Sequence, residues 1–184
     1  MLFAGMQDFT AWVHENLEHY ERVGYFLDQC LTAITRIVHQ HGGTVDKFIG
    51  DAVMAVFDTL APQHAEQAVA SALAIREAMQ KLGITVNTGI NSGVVFEGLF
   101  GLSSFSQYTI VGDVVNVASR LQSRARDGAI LIGPDTYGHV KERHFDISSV
   151  QSAPEPQSKQ EQYTCHVVHG HKPEELPLHK GESQ

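Results

Sequence analysis

Three short stretches of this sequence carry residue types that could do chemistry together. In Thr44-Val45-Asp46-Lys47-Phe48-Ile49-Gly50-Asp51-Ala52-Val53-Met54-Ala55-Val56-Phe57, two apolar runs flank a Gly-Asp pair, and a lysine stands just before it. A carboxylate at a strand end with free space above it suits a hard divalent cation such as Mg2+, which makes Asp51 a candidate ligand. On the turn alone, an ordinary turn aspartate is the simpler reading, because Asp tolerates such backbone. Lys47 lies two residues from both Val45 and Ile49, so strict alternation puts all three on one face. A lysine on an apolar face needs a partner or a ligand, unless it snorkels at an edge. In Gln107-Tyr108-Thr109-Ile110-Val111-Gly112-Asp113-Val114-Val115-Asn116-Val117-Ala118-Ser119-Arg120-Leu121, Asn116 and Arg120 are four apart on a predicted helix and share a face. That pair offers an amide to orient a hydroxyl or water and a guanidinium to meet a phosphate. Taken alone, two polar residues on a helix surface are commonplace.

The whole chain sets limits on what those residues serve. Its 184 residues suit one domain with a full core, and an apolar content of 42% is ordinary for a soluble globular protein. A formal net charge of −8 argues against nucleic-acid binding through a basic face, though a few local cations suffice for one nucleotide. No apolar run is long enough to cross a bilayer, and the start MLFAGMQDFT lacks the basic and apolar regions of a signal peptide, so a cytoplasmic chain is expected. The two cysteines, Cys30 and Cys165, have no pairing pattern, which suggests a reducing compartment. His166, His169 and His171 cluster near the C-terminus without a metal-binding motif, and a solvated tail is expected there.

The elements that must position the candidates follow from periodicity. Met1 to Ala4 reads as the end of a strand and Gly5 to Thr10 as a turn. Val23, Phe26, Leu27, Cys30, Ile34, Ile37 and Val38 make one helical stripe, which His41-Gly42-Gly43 ends with a left-handed glycine. Val45 to Ile49 and Ala52 to Phe57 are strands around a two-residue hairpin. Ala65 to Leu82 is helical, and Ile84 to Ile90 alternates as a strand. The order strand, helix, strand, strand, helix, strand predicts an α+β fold: a ferredoxin-like βαββαβ core with helices on one face of an antiparallel sheet. Additional strands and helices follow. Val94 to Glu97 and Tyr108 to Val111 read as strands joined by a Gly/Ser-rich loop, and Asp113 as the cap of a helix from Val114 to about Ala125. Strands at Ala129 to Ile132 and Phe145 to Ile147 flank a short helix at Pro134 to Val140. Gln151 to Lys159 reads as a loop, Gln162 to Val168 as a last strand, and 170–184 as a polar tail after a domain of residues 1–169.

At this point LFAGMQDFT, HGGTVDKFIGDAVMAVF and QYTIVGDVVNVASRL resemble, in order and separation, the three signature segments of the class III nucleotidyl cyclases, and GINSGVVFEGLFG resembles the segment between them. The resemblance covers nearly the whole chain. It implies a ferredoxin-like domain that pairs head to tail, with active sites built at the interface from both chains, either as a homodimer or as a heterodimer with another cyclase domain. It implies joining of the ribose 3′-oxygen to the α-phosphorus with loss of pyrophosphate, supported by two ions, Mg2+ or Mn2+, on two aspartates. By the same resemblance Asp51 is the second metal aspartate, Lys47 the base-selecting lysine, Thr109 its partner, Asn116 the ribose-orienting residue and Arg120 the one that meets transition-state charge. Lysine and threonine at these positions imply ATP as substrate and cyclic AMP as product. Backbone amides around Phe9 and Thr10 are placed at the phosphates, and Lys159 matches a late phosphate-binding lysine, although the family's glycines are missing around it. The departure is Gly5, which stands where the family carries its first metal aspartate. Asp8, three residues on, reads first as a hydrogen-bonded helix cap, with a substitute metal ligand as the alternative by charge and reach. Two readings stay open: an adenylyl cyclase, and a degenerate domain that binds nucleotide, dimerises, or supplies the lysine-bearing half of a heterodimer.

Overall fold

The computed structural model describes residues 1–57, 61–102, 105–140, 144–151 and 164–172. Nine strands and five α-helices are assigned within them, in the order β1 (Leu2–Met6), α1 (Phe9–Glu15), α2 (Tyr20–Gln40), β2 (Gly43–Ile49), β3 (Ala52–Phe57), α3 (His64–Lys81), β4 (Val86–Ile90), β5 (Phe96–Leu102), β6 (Phe105–Val111), α4 (Asp113–Arg124), β7 (Ile130–Ile132), α5 (Pro134–His139), β8 (Phe145–Gln151) and β9 (Thr164–His171). A seven-stranded sheet runs β2-β3-β1-β4-β7-β9-β8, and β5 and β6 form a separate hairpin. The β2-β3-β1-β4 part, antiparallel throughout, is the expected βαββαβ core. The added β7 joins it in parallel to β4.

Alternation along β1 decides which side chain meets which layer. Leu2, Ala4 and Met6 enter the main core with Val53, Ala55, Phe57, Val86 and Ile90, under Cys30, Ile34 and Val38 of α2 and Ala68, Ala72, Ile75 and Met79 of α3. The stripe read from α2 is therefore its buried face, and Gly42 follows the helix at φ 80°, a left-handed conformation that favours glycine. Small residues on α3 let that helix lie close to the sheet.

Not all the helices lie on one face. Phe3 and Met54 point the other way and pack with Ile110 and with Ala118 of α4. The seat for α4 is Gly89: a Cβ there would run into the Ala118 carbonyl oxygen and the Gln122 amide nitrogen, backbone atoms that cannot give way. An amphipathic helix shows that it has a buried face, not which side of a sheet receives it.

Several boundaries shift from the expected ones. β1 extends through Gly5 and Met6, so the turn shrinks to Gln7 and Asp8, and Gly5 sits inside a strand with partners on both sides. Asp113 is the first residue of α4 rather than its cap; Gly112 occupies the cap position and no side chain bonds the helix end. β5 and β6 pair continuously from Phe96↔Val111 to Leu102↔Phe105, with Gly98 and Gly101 inside the ladder; Gly101 takes φ 125°, which favours glycine. β8 runs on to Gln151, and β9 reaches His171, past the expected start of the tail. His166 is buried there with its ring stacked on Tyr137 at 3.8 Å, His169 bonds Ser148 at 2.7 Å, and His171 lies against Phe145, so the three histidines belong to a strand and not to a solvated tail. No described helix is long and apolar enough to cross a membrane.

Candidate active site

The hairpin of β2 and β3 carries the first group of candidates. Gly50 has φ 61°, the left-handed backbone that the turn requires, and Ile49↔Ala52 closes it as expected. Asp51 follows, half-buried and without a hydrogen bond or ion pair to any described residue. Deeper in the hairpin the register slips: Val45 faces Ala55, but Lys47, not Asp46, faces Met54. Asp46 is thus the extra residue of a β-bulge. The bulge corrects the expected alternation. Val45 shares the core side with Ala55, whereas Lys47 shares the opposite side with Met54.

On that side Lys47 Nζ donates to Thr109 Oγ1 of β6 at 2.8 Å, joining residues 62 positions apart. The ammonium also stands 3.3 Å from Asp46 Oδ2, with the Lys47 side chain 25% and the Asp46 side chain 8% exposed. A cavity of about 1040 Å3 opens here, lined among others by Thr44, Asp46, Glu97, Tyr108, His64 and His139. Tyr108 has its phenol pushed above the ordinary range by desolvation, then by the charge and hydrogen bond of Glu97, then by Asp46. It is a neutral hydrogen-bonding group on an acidic wall. Asp46, Glu97 and Tyr108 escaped sequence reasoning; the one available signal was an acid placed directly before the lysine.

The second group lies at the end of β1. Gly5 pairs with Ala52, which brings it beside the Asp51 turn. A side chain at position 5 would meet the amide of Gln122 on α4, whose Nε2 stands where the Cβ would be and whose Cδ is 3.1 Å away. Gln122 therefore fills the space left by the glycine. Asp8, the other acid near this strand, is placed at the start of α1. It is exposed, has φ 57°, and starts α1 through its carbonyl, which accepts from the Trp12 amide at 3.0 Å. Its side chain makes no cap, contrary to that expectation, and accepts instead from Gln7 Nε2 at 3.4 Å. The same Gln7 side chain accepts from Asn87 and from the Asp127 amide, which ties the Asp8 turn to the β4 side of β1. Phe9 stacks on Trp12 at 5.7 Å and packs on the core, and Thr10 is exposed in the first turn of α1.

The third group is on α4. Val117, Ala118 and Leu121 face inward, which leaves Asn116 and Arg120 side by side on the exposed face. Neither makes a hydrogen bond or ion pair with a described residue. One chain thus joins Lys47 to Thr109 and sets Asp51 beside Gly5, while Asn116 and Arg120 point outward unpartnered. Lys159 lies outside the described residues. As a metal centre the donors do not fit two ions: Asp51 is the hairpin's carboxylate at the turn, position 5 has none, and no described group of three His, Cys, Asp or Glu is arranged for a cation.

A family model described as the adenylate and guanylate cyclase catalytic domain matches residues 1–170. The chain belongs to that family. The cyclase domain is 32% identical over 136 residues to an adenylate cyclase of Anabaena cylindrica, covering 66% of this chain and 26% of the relative. It is similar to the crystal structure of the adenylyl cyclase CyaB from P. aeruginosa, with a TM-score of 0.83 and 31% identity over 95% of this chain and 94% of that one. It is also similar to the guanylate cyclase domain of RhGC from Catenaria anguillulae, solved in complex with GTP, with a TM-score of 0.81 and 26% identity over 93% and 95% of the two chains. The cyclase domain spans about a quarter of the length of the Anabaena relative. Its α+β fold is thus that of cyclase catalytic domains, shared by an adenylyl cyclase and a guanylate cyclase domain.

Proposed function

We propose that this cyclase domain is directed to ATP, which it closes to 3′,5′-cyclic AMP with release of pyrophosphate, in a site shared by two domains paired head to tail. The observation that carries the reading is the Lys47–Thr109 hydrogen bond of 2.8 Å beside the large cavity. An ammonium only donates, and a hydroxyl oxygen already accepting one proton has a second lone pair. Adenine presents an acceptor at N1 beside its amino group, which matches that pair. Guanine presents a donor at N1, which meets the ammonium proton to proton. In the reaction the 3′-oxygen bonds the α-phosphorus, the bond to the bridging oxygen of pyrophosphate breaks, and the 3′-hydroxyl proton leaves. Asn116 and Arg120, exposed and without a partner among the described residues, would reach the ribose and the phosphorus of a nucleotide whose base meets Lys47 of the same chain and whose phosphates meet the metal half of the other. A divalent ion, Mg2+ or Mn2+, would supply charge at the phosphates, with Asp51 as this chain's ligand. The remaining carboxylate is not among the hairpin residues, and no step is assigned to the ion.

Gly5 favours a second reading. The glycine and the Gln122 amide filling its space suit a chain that supplies the Lys47, Thr109, Asn116 and Arg120 half of a heterodimer whose partner carries an intact metal half.

The test is equilibrium binding of α,β-methylene ATP and α,β-methylene GTP, neither of which can be cyclised, to the chain and to Lys47→Ala. The expected result is an ATP preference that Lys47→Ala reduces by about tenfold, the worth of one charge-assisted hydrogen bond. An equal affinity for both nucleotides, unchanged by the substitution, would contradict the reading.

A further inference from the structure

The bulge in β2 puts two opposite charges on one side of a strand, where regular alternation would separate them. Lys47 faces Met54, and Asp46, the extra residue beside it, lines the cavity. The Asp46 side chain is 8% exposed, and its Oδ2 is fully buried without a hydrogen-bond donor among the described residues. A buried carboxylate in that state requires a counter-charge. The cation beside it is Lys47 Nζ at 3.3 Å, which is at the same time held 2.8 Å from Thr109 Oγ1.

We propose that Asp46 is a positioning residue that fixes the Lys47 ammonium on Thr109 before nucleotide arrives and thereby sets the base preference of the site. The inference rests on Lys47 as the base-reading lysine. A lysine has three protons on Nζ and four rotatable bonds. With one proton on Thr109 and the ammonium held by its ion pair with Asp46, the remaining protons are confined to a narrower set of directions. The freedom of the long side chain is then lost on folding instead of on binding, which is what pre-organisation means for affinity. Charge balance has a second effect. Neutralised by Asp46, the ammonium is a directional donor and no longer a free cation able to draw in the triphosphate. Asp46 and Glu97, both lining the cavity, repel phosphate from this end, so the base enters and the phosphates stay toward the metal half that the other chain supplies.

The experiment uses the full chain and the same two α,β-methylene nucleotides, with wild type, Asp46→Asn, Asp46→Glu, Lys47→Ala and the Asp46→Asn/Lys47→Ala double variant. Thermal melting of each accompanies the titration. Inorganic triphosphate serves as a competitor without a base. Asp46→Asn is expected to lower the ATP-over-GTP preference by about tenfold, as the loss of a charged partner would. It is also expected to strengthen competition by inorganic triphosphate, a change that a merely structural role would not produce. Asp46→Glu retains most of the preference, and the double variant discriminates no worse than Lys47→Ala alone. If Lys47→Ala loses the preference while a folded Asp46→Asn keeps it, Asp46 has no positioning role. If folded Lys47→Ala keeps the preference as well, base reading by Lys47 fails, and this inference fails with it.

Discussion

Gly5→Asp is expected to raise cyclic AMP formation by the purified chain by about a thousandfold. The substitution returns one negative charge to a position beside the Asp51 turn, where Gly5 pairs with Ala52. At about 4 Å and an effective dielectric near 20, one pair of unit charges is worth about 4 kcal/mol, or about three powers of ten in rate. The space is available at small cost. The new Cβ would displace only the end of the Gln122 side chain, which is free to turn, and its contact with the Ala52 Cβ at 3.5 Å is ordinary packing. Initial rates with ATP and Mn2+ measure the gain, and binding of Mn2+ by electron paramagnetic resonance measures its cause. A folded Gly5→Asp chain with neither tighter Mn2+ nor faster turnover would show that a carboxylate at position 5 does not limit this site.

Removal of the Arg120 guanidinium is expected to be nearly as large an effect in the opposite sense. In the Gly5→Asp background, Arg120→Ala should lower kcat by about a hundredfold to a thousandfold, the range for one pre-placed donor to transition-state charge. KM should change little, since the interaction strengthens only as charge builds on the phosphorus. Stability separates this from damage to the fold. Arg120 is exposed and has no described partner, so the variant should melt within about 0.5 kcal/mol of its parent. Asn116→Ala should behave likewise, one turn away on the same outward face. Turnover unaffected by both substitutions would place the chemistry elsewhere.

What could be read from the sequence depended on the range of the interaction. The stripe of α2 and the hairpin around Gly50 follow from periodicity and turn chemistry within a few residues, and both stand as expected. The βαββαβ order gave the core, but α4 crosses to the other face because of Gly89, a strand glycine whose role depends on a helix some thirty residues later. The Lys47–Thr109 partnership came only with the resemblance to a family, since no local pattern joins two strands so far apart. The bulge at Asp46 was invisible for a physical reason. Val45, Lys47 and Ile49 satisfy a period of two, and only the opposing strand reveals that the register slips between them. Gln122 at Gly5 is likewise a contact between distant segments, with no signal in either. The histidines of β9 read as a polar tail by composition, although His166 alternates into a buried position against Tyr137.

The central claim is that a working site takes its metal half from one chain and Lys47, Asn116 and Arg120 from the other. It is tested most directly by mixing two chains that are each expected to turn over only slowly on their own. The wild-type chain has the catalytic half but Gly5 in its metal half, and a Gly5→Asp/Asn116→Ala chain has the reverse. Cyclic AMP formation is measured for each alone and for the mixture over a range of ratios. The sharing of sites predicts activity that appears on mixing and peaks near equal amounts. A silent mixture, with Gly5→Asp alone active under the same conditions, would show that one chain holds the whole site and would contradict the account.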